Sequence, residues 1–161
     1  MTDGWLEGFE PATPNDAAFL RGFRSATRAL PSLGLTAAAV TAETWNTPAL
    51  VIEVVVVAGT TDLVRSALIH IQFRAGEPHR LIADWSFDEY ILDDAQDLMS
   101  DDTLDSHSAG ERAGGWLEAQ LRRELYRDEW DGRRPISAYR LEGESVARYR
   151  FRAPDRTVRV R

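Results

Sequence analysis

Ala49-Leu50-Val51-Ile52-Glu53-Val54-Val55-Val56-Val57-Ala58 is the stretch whose reading decides the fold. Branched side chains are stiff at χ1 and favour extended backbone, so a run this rich in valine reads as a strand. It is apolar at both odd and even positions, which predicts a strand covered on both faces near the middle of a sheet. The residues that follow alternate. Ala67, Ile69, Ile71 and Phe73 oppose Leu68, His70, Gln72 and Arg74; then Leu81, Ala83, Trp85 and Phe87 oppose Ile82, Asp84, Ser86 and Asp88. The links at Gly59-Thr60-Thr61 and Ala75-Gly76-Glu77-Pro78 are too short for parallel crossovers, so the strands form an antiparallel meander. Residues 36–46 are expected to add a strand before it.

Working outward, residues 1–12 read as irregular. Thr13-Pro14-Asn15-Asp16 combines a capping hydroxyl, a proline at the first helical position and an early acid, which predicts a helix start. Phe19, Phe23, Ala26 and Leu30 then recur at helical spacing, with Arg21, Arg24 and Arg28 on the opposite side. After the meander, residues 90–108 read as an acidic loop. A second helix is predicted from a capping box at Ser108 and Glu111 to Trp130, before Gly132. Strands from Ile136 to the C-terminus close the chain. The expectation is an α+β fold over 1–161 as one domain: a β-meander and a C-terminal hairpin in an antiparallel sheet with two helices, in the order α-β-β-β-β-α-β-β, with room for a further strand.

Composition excludes several chemistries. There is no cysteine, hence no disulfide, thiolate metal site or thiol nucleophile. All 19 basic residues are arginine, so Schiff-base and phosphate-loop lysines are also excluded. No apolar run reaches the ~18 residues of a membrane helix, and the first residues lack the basic and apolar stretches of a signal peptide. The expectation is a cytoplasmic protein with no membrane partner and no cofactor.

Charge is uneven. Residues 84–105 hold nine acids and no arginine, whereas residues 133–161 hold nine arginines and three acids, within a net charge of −7. From Ser145 to Arg161, Ala147, Tyr149, Phe151, Val158 and Val160 alternate with Arg148, Arg150, Arg152, Arg159 and Arg161. A hairpin turning at Ala153-Pro154-Asp155-Arg156 keeps the apolar residues on one face and sets Arg150 against Arg159 and Arg148 against Arg161. Like charges facing each other across a ladder are unfavourable, so carboxylates or phosphates must neutralise them. The 84–105 segment, Glu142 and Glu144 are the internal sources; a phosphate or nucleic-acid ligand is the external one. The acidity of the whole chain argues against nucleic acid.

Three other groupings could carry function. Asp93, Asp94, Asp97, Asp101, Asp102 and Asp105 form an acidic surface, but a calcium loop starting at Asp93 has Ala95, Leu98 and Leu104 at its third, sixth and twelfth positions, so no metal is expected. On the second helix Ala113, Leu117, Leu121 and Leu125 point to the core, while Trp116, Arg123 and Trp130 recur every seven residues as a partner-binding stripe of interface composition. In the meander, His70 shares a face with Asp84 and Ser86, the parts of a nucleophilic triad, although no Gly-x-Ser-x-Gly turn is present to present the serine. The reading that follows is a non-catalytic protein-binding module with a protein partner or a second copy of itself. An enzyme using His70, Asp84 and Ser86, and an arginine-hairpin anion binder, are the alternatives. The order of elements is shared in outline with secretion-chaperone-like and toxin-immunity-like modules, an analogy of fold that does not specify function.

Overall fold

A computed structural model describes residues 11–30, 38–43, 49–57, 67–76, 79–86, 96–99, 104–133, 136–145 and 152–161. The fold is α+β. Helix α1 (Pro14–Ala26) precedes strands β1 (Ala38–Glu43), β2 (Ala49–Val57), β3 (Ala67–Arg74), β4 (Arg80–Ser86) and β5 (Gln96–Met99). Helix α2 (Ser106–Leu121) and strands β6 (Leu125–Trp130), β7 (Ile136–Leu141) and β8 (Arg156–Arg159) follow. The strands form two antiparallel sheets, one ordered β1-β2-β3-β4-β5 and one ordered β7-β6-β8.

The start of α1 follows its sequence. The Thr13 hydroxyl accepts the Asp16 N–H at 3.1 Å and the Asp16 carboxylate accepts the Thr13 N–H at 3.1 Å, a reciprocal cap on two donors that the helix itself leaves unsatisfied. Phe19 and Phe23 are fully buried, and the Phe19 ring lies 4.3 Å from Phe73 of β3 in a stacked arrangement. The meander is in the expected register. Leu50, Ile52 and Val54 of β2 lie beside Phe73, Ile71 and Ile69 of β3, which lie beside Leu81, Ala83 and Trp85 of β4. This face packs against α1 and α2 in one core with Leu30, Ala109, Ala113, Leu117 and Leu121.

The two helices approach each other through glycine. A methyl group on Gly22 would lie 2.0 Å from the His107 carbonyl oxygen, and one on Gly110 would lie 2.0 Å from that of Phe19. One on Gly114 would lie 2.6 Å from the Ala26 methyl. Backbone thus meets backbone, a spacing open only to residues without a Cβ.

The structure departs from the sequence reading in three places. First, the second helix is shorter and begins earlier: Asp105, not Ser108, is its cap, accepting the Ser108 N–H at 2.8 Å. It ends at Leu121, and Leu125–Trp130 is strand. The four-residue spacing of Ala113, Leu117, Leu121 and Leu125 runs across the break, since Leu125 is fully buried although it starts a strand. Second, the acidic stretch taken as a loop contributes β5, and Asp97 lies opposite Ile82 on β4. Third, the hairpin of the C-terminal part is β6–β7, with β8 added on the other side of β6. The expected partners of β8, including Phe151, fall outside the described residues.

Candidate functional site

The smaller sheet holds a row of ion pairs. Along β6, Tyr126 lies between Arg140 of β7 and Arg159 of β8; Asp128 lies between Ala138 and Thr157; Glu129 lies between Ser137 and Arg156. Successive strand residues point to opposite faces, so Tyr126 and Asp128 share one face while Arg127 and Glu129 share the other.

On the first face, Asp128 is fully buried. Its carboxylate accepts the Arg140 Nε–H at 2.9 Å and the Thr157 hydroxyl at 2.5 Å, tying β7 and β8 to β6 through one side chain. Burying a charge is costly unless it is paired and hydrogen-bonded, and Asp128 is both. The Arg140 guanidinium also lies 4.8 Å from the Tyr126 ring centroid, a cation–π contact. The Tyr126 hydroxyl donates to Glu124, and that bond raises the phenol pKa above its ordinary value. Glu124 in turn accepts from Arg159 Nη2 at 2.7 Å.

On the second face, Glu129 is paired with Arg127 at 2.7 Å and with Arg156. Burial pushes the Glu129 carboxyl up, but the bonds from Arg156 and Arg127 outweigh it and hold the group below the usual range. Asp155, in the turn before β8, accepts the Asp131 N–H at 2.7 Å and pairs with Arg152, and its pKa is lowered as well. The Leu125 end of this face joins Leu141, Tyr139 and Val160 in a second apolar cluster that meets Ala67, Val56 and Trp85 of the larger sheet.

Counter-charges for Arg156 and Arg159 therefore come from within the chain, from Glu129 on β6 and Glu124 just before it. Sequence reasoning missed these carboxylates because it placed both on a helix. Arg148 and Arg150 lie outside the described residues, and the Arg161 carbonyl accepts the Leu125 N–H at 3.2 Å.

The tryptophan stripe does not exist as a surface. Trp116 is on α2, half-buried against the main core. Arg123 is in the turn after the helix, donating to Gln120 at 3.1 Å and to the Glu142 carbonyl at 3.4 Å. Trp130 is on β6, 4 % exposed, and its indole N–H donates to the Arg152 carbonyl at 3.1 Å. The seven-residue spacing has no meaning once the helix stops at Leu121. Of the acidic surface, Asp97 is on β5 and Asp105 caps α2, while Asp93, Asp94, Asp101 and Asp102 lie outside the described residues.

On the larger sheet, Glu53, His70 and Asp84 line up across β2, β3 and β4. His70 is 2 % exposed, with Nε2 4.0 Å from the Glu53 carboxylate, and Asp84 accepts the Trp85 N–H at 2.7 Å. Ser86 is opposite Leu68 rather than His70. A second histidine joins a serine that sequence reasoning did not connect with it. His79 Nδ1 accepts the Gly76 N–H at 3.2 Å, and its Nε2 lies 3.5 Å from the Ser106 hydroxyl, which is 3.3 Å from the Asn15 side chain. With Nδ1 accepting, the proton of the neutral ring is on Nε2, so this nitrogen cannot take a proton from Ser106. The trio links the β3–β4 turn to the first turns of both helices.

Among the described residues no helix is long and apolar enough to cross a membrane, and no three metal-ligating side chains come together. No family model, curated protein or solved structure matches the chain.

Proposed function

We propose that the chain is a non-catalytic protein-binding module of the bacterial cytoplasm, of the chaperone, adaptor or immunity kind, and that it binds through the smaller sheet. The observation that carries this reading is the Arg140–Tyr126–Arg159 row. An aromatic side chain between two arginines, oriented by fixed hydrogen bonds, is the composition on which interfaces concentrate binding energy. Preordering by Asp128 and Glu124 lowers the conformational entropy lost on association.

The enzyme alternative has less behind it. His70, the natural base of the larger sheet, is almost fully buried, and a general base must reach the proton that it removes. An anion ligand would have to displace Glu124 and Glu129 from the arginines that they already hold.

The test starts with quantitative co-purification on the tagged chain and continues by calorimetry with the purified partner. Tyr126→Ala is expected to weaken binding by about fivefold, equivalent to the ~1 kcal/mol that truncating one interface anchor costs. Arg21→Ala on α1 serves as a control without effect. Unchanged binding in the Tyr126→Ala variant would refute the assigned surface. A turnover by the purified chain that His70→Ala abolishes would refute the non-catalytic reading.

A further inference from the structure

The four residues of β8 are all exposed, Val158 at 37 % included. Apolar burial therefore does little to hold this strand. Among the described contacts it is fastened by backbone pairing to β6 and by polar side chains that reach two β6 residues and Glu124 just before the strand. Arg156 pairs with Glu129, the Thr157 hydroxyl donates to Asp128, and Arg159 pairs with Glu124. Both arginine side chains remain 63 % exposed, so their pairs are open to salt screening. Beyond the strand, Val160 supplies an apolar anchor on the second cluster.

We infer that β8 is an electrostatic latch over the edge of β6, and that this edge, once uncovered, accepts an extended basic segment of a partner in its place. The segment that fits has the pattern of β8 itself: an arginine, a hydroxyl residue next to it and an arginine three positions after the first. These match Glu129, Asp128 and Glu124. Strand addition to an open edge draws affinity from main-chain hydrogen bonds and specificity from alternate side chains. An unpaired edge is otherwise a liability that proteins cover, and β8 is the cover. The docking half of the inference rests on the protein-binding reading; the latch half does not.

Hydrogen bonding makes the latch separately observable. In an antiparallel pair, one strand's residues bond alternately to its two neighbours. The Val160 N–H donates to the Leu125 carbonyl and the Glu142 N–H to the Glu124 carbonyl. Continuing that alternation, the Arg127 and Glu129 amides face β8, whereas those of Tyr126 and Asp128 face β7.

The experiment is residue-resolved amide exchange on the full chain at low and high sodium chloride. Raising the salt is expected to speed exchange at Arg127 and Glu129 by roughly three- to tenfold, the loss of two exposed ion pairs, and to leave Tyr126 and Asp128 unchanged. Arg156→Gln/Arg159→Gln should give fast exchange at Arg127 and Glu129 already at low salt. A synthetic peptide of residues 154–161, added to that variant, should restore their protection, whereas the same peptide with glutamate at positions 156 and 159 should not. Equal exchange at all four amides, or no effect of the double substitution, would overturn the latch and leave the protein-binding reading standing. Selective opening without re-protection by the peptide would overturn the docking edge.

Discussion

The two sheets are held together by different physics. In the larger one, Ile52, Val54, Ile69, Ile71, Phe73, Leu81 and Ala83 are all essentially without solvent exposure under two helices. In the smaller one, the described apolar cluster gathers Leu125, Leu141, Tyr139 and Val160 at one end, Trp130 is buried at the other, and between them β6 is joined to its neighbours by carboxylate–guanidinium and carboxylate–hydroxyl bonds. Apolar burial is not weakened by added salt, whereas ion pairs respond to salt and to competing charge. A body built on burial thus carries a smaller sheet that can be opened without dissolving the rest.

Substitutions ranked by expected effect separate the two. The largest loss should come from Phe73→Ala, which removes a fully buried ring stacked on Phe19 and should cost about 4 kcal/mol in urea unfolding. Gly110→Ala comes next. Its new methyl would meet the Phe19 carbonyl, so the helices must separate, at about 3 kcal/mol. Gly115→Ala, with nothing within 4 Å, should instead stabilise α2 by about 0.5–1 kcal/mol. A Gly110→Ala chain as stable as the parent would break the claim that backbone contact sets the helix spacing.

Within the smaller sheet, Asp128→Ala should cost about 2 kcal/mol, because it strips the partner from the mostly buried Arg140, whereas Arg159→Ala should cost less than about 1 kcal/mol. Equal losses from the two would mean that burial does not decide which pair matters. The smallest effect is that of acid. Glu129 has its folded pKa depressed, so its contribution is fully present above the unfolded value of 4.5 and is lost as pH falls through the folded value. The protection factor at Glu129 should fall below that pH while β3 amides keep theirs, and the Glu129→Gln chain should lack the response.

What the sequence revealed follows the same division. The α1 cap, the β2–β4 register and the core face could be read because apolar periodicity encodes burial directly, position by position. Strand β5 was hidden because Gln96–Met99 is short and lies in a stretch whose acidity reads as solvated. Strand β6 was hidden because Leu125 extends a helical spacing while Tyr126, Arg127, Asp128 and Glu129 show no apolar alternation. Its signal is electrostatic: carboxylates at 124, 128 and 129 answer arginines at 140, 156 and 159. Matching charges across 12 to 35 residues needs the topology first. The arginine-rich C-terminus did give notice that counter-charges were required, but β8 pairs with β6 rather than placing Arg159 against another arginine, and the source of the counter-charges was not in the sequence pattern.

Fluorine resonances of 5-fluorotryptophan in the intact chain, assigned by single Trp→Phe substitutions and followed through urea unfolding at low and high sodium chloride, test the central claim most directly. Trp130 reports on β6 and Trp116 on the helix-covered core. Salt is expected to move the Trp130 transition to lower urea while leaving that of Trp116 in place. Superimposable transitions that shift together, or neither shifting, would contradict a smaller sheet held by charge on a body held by burial.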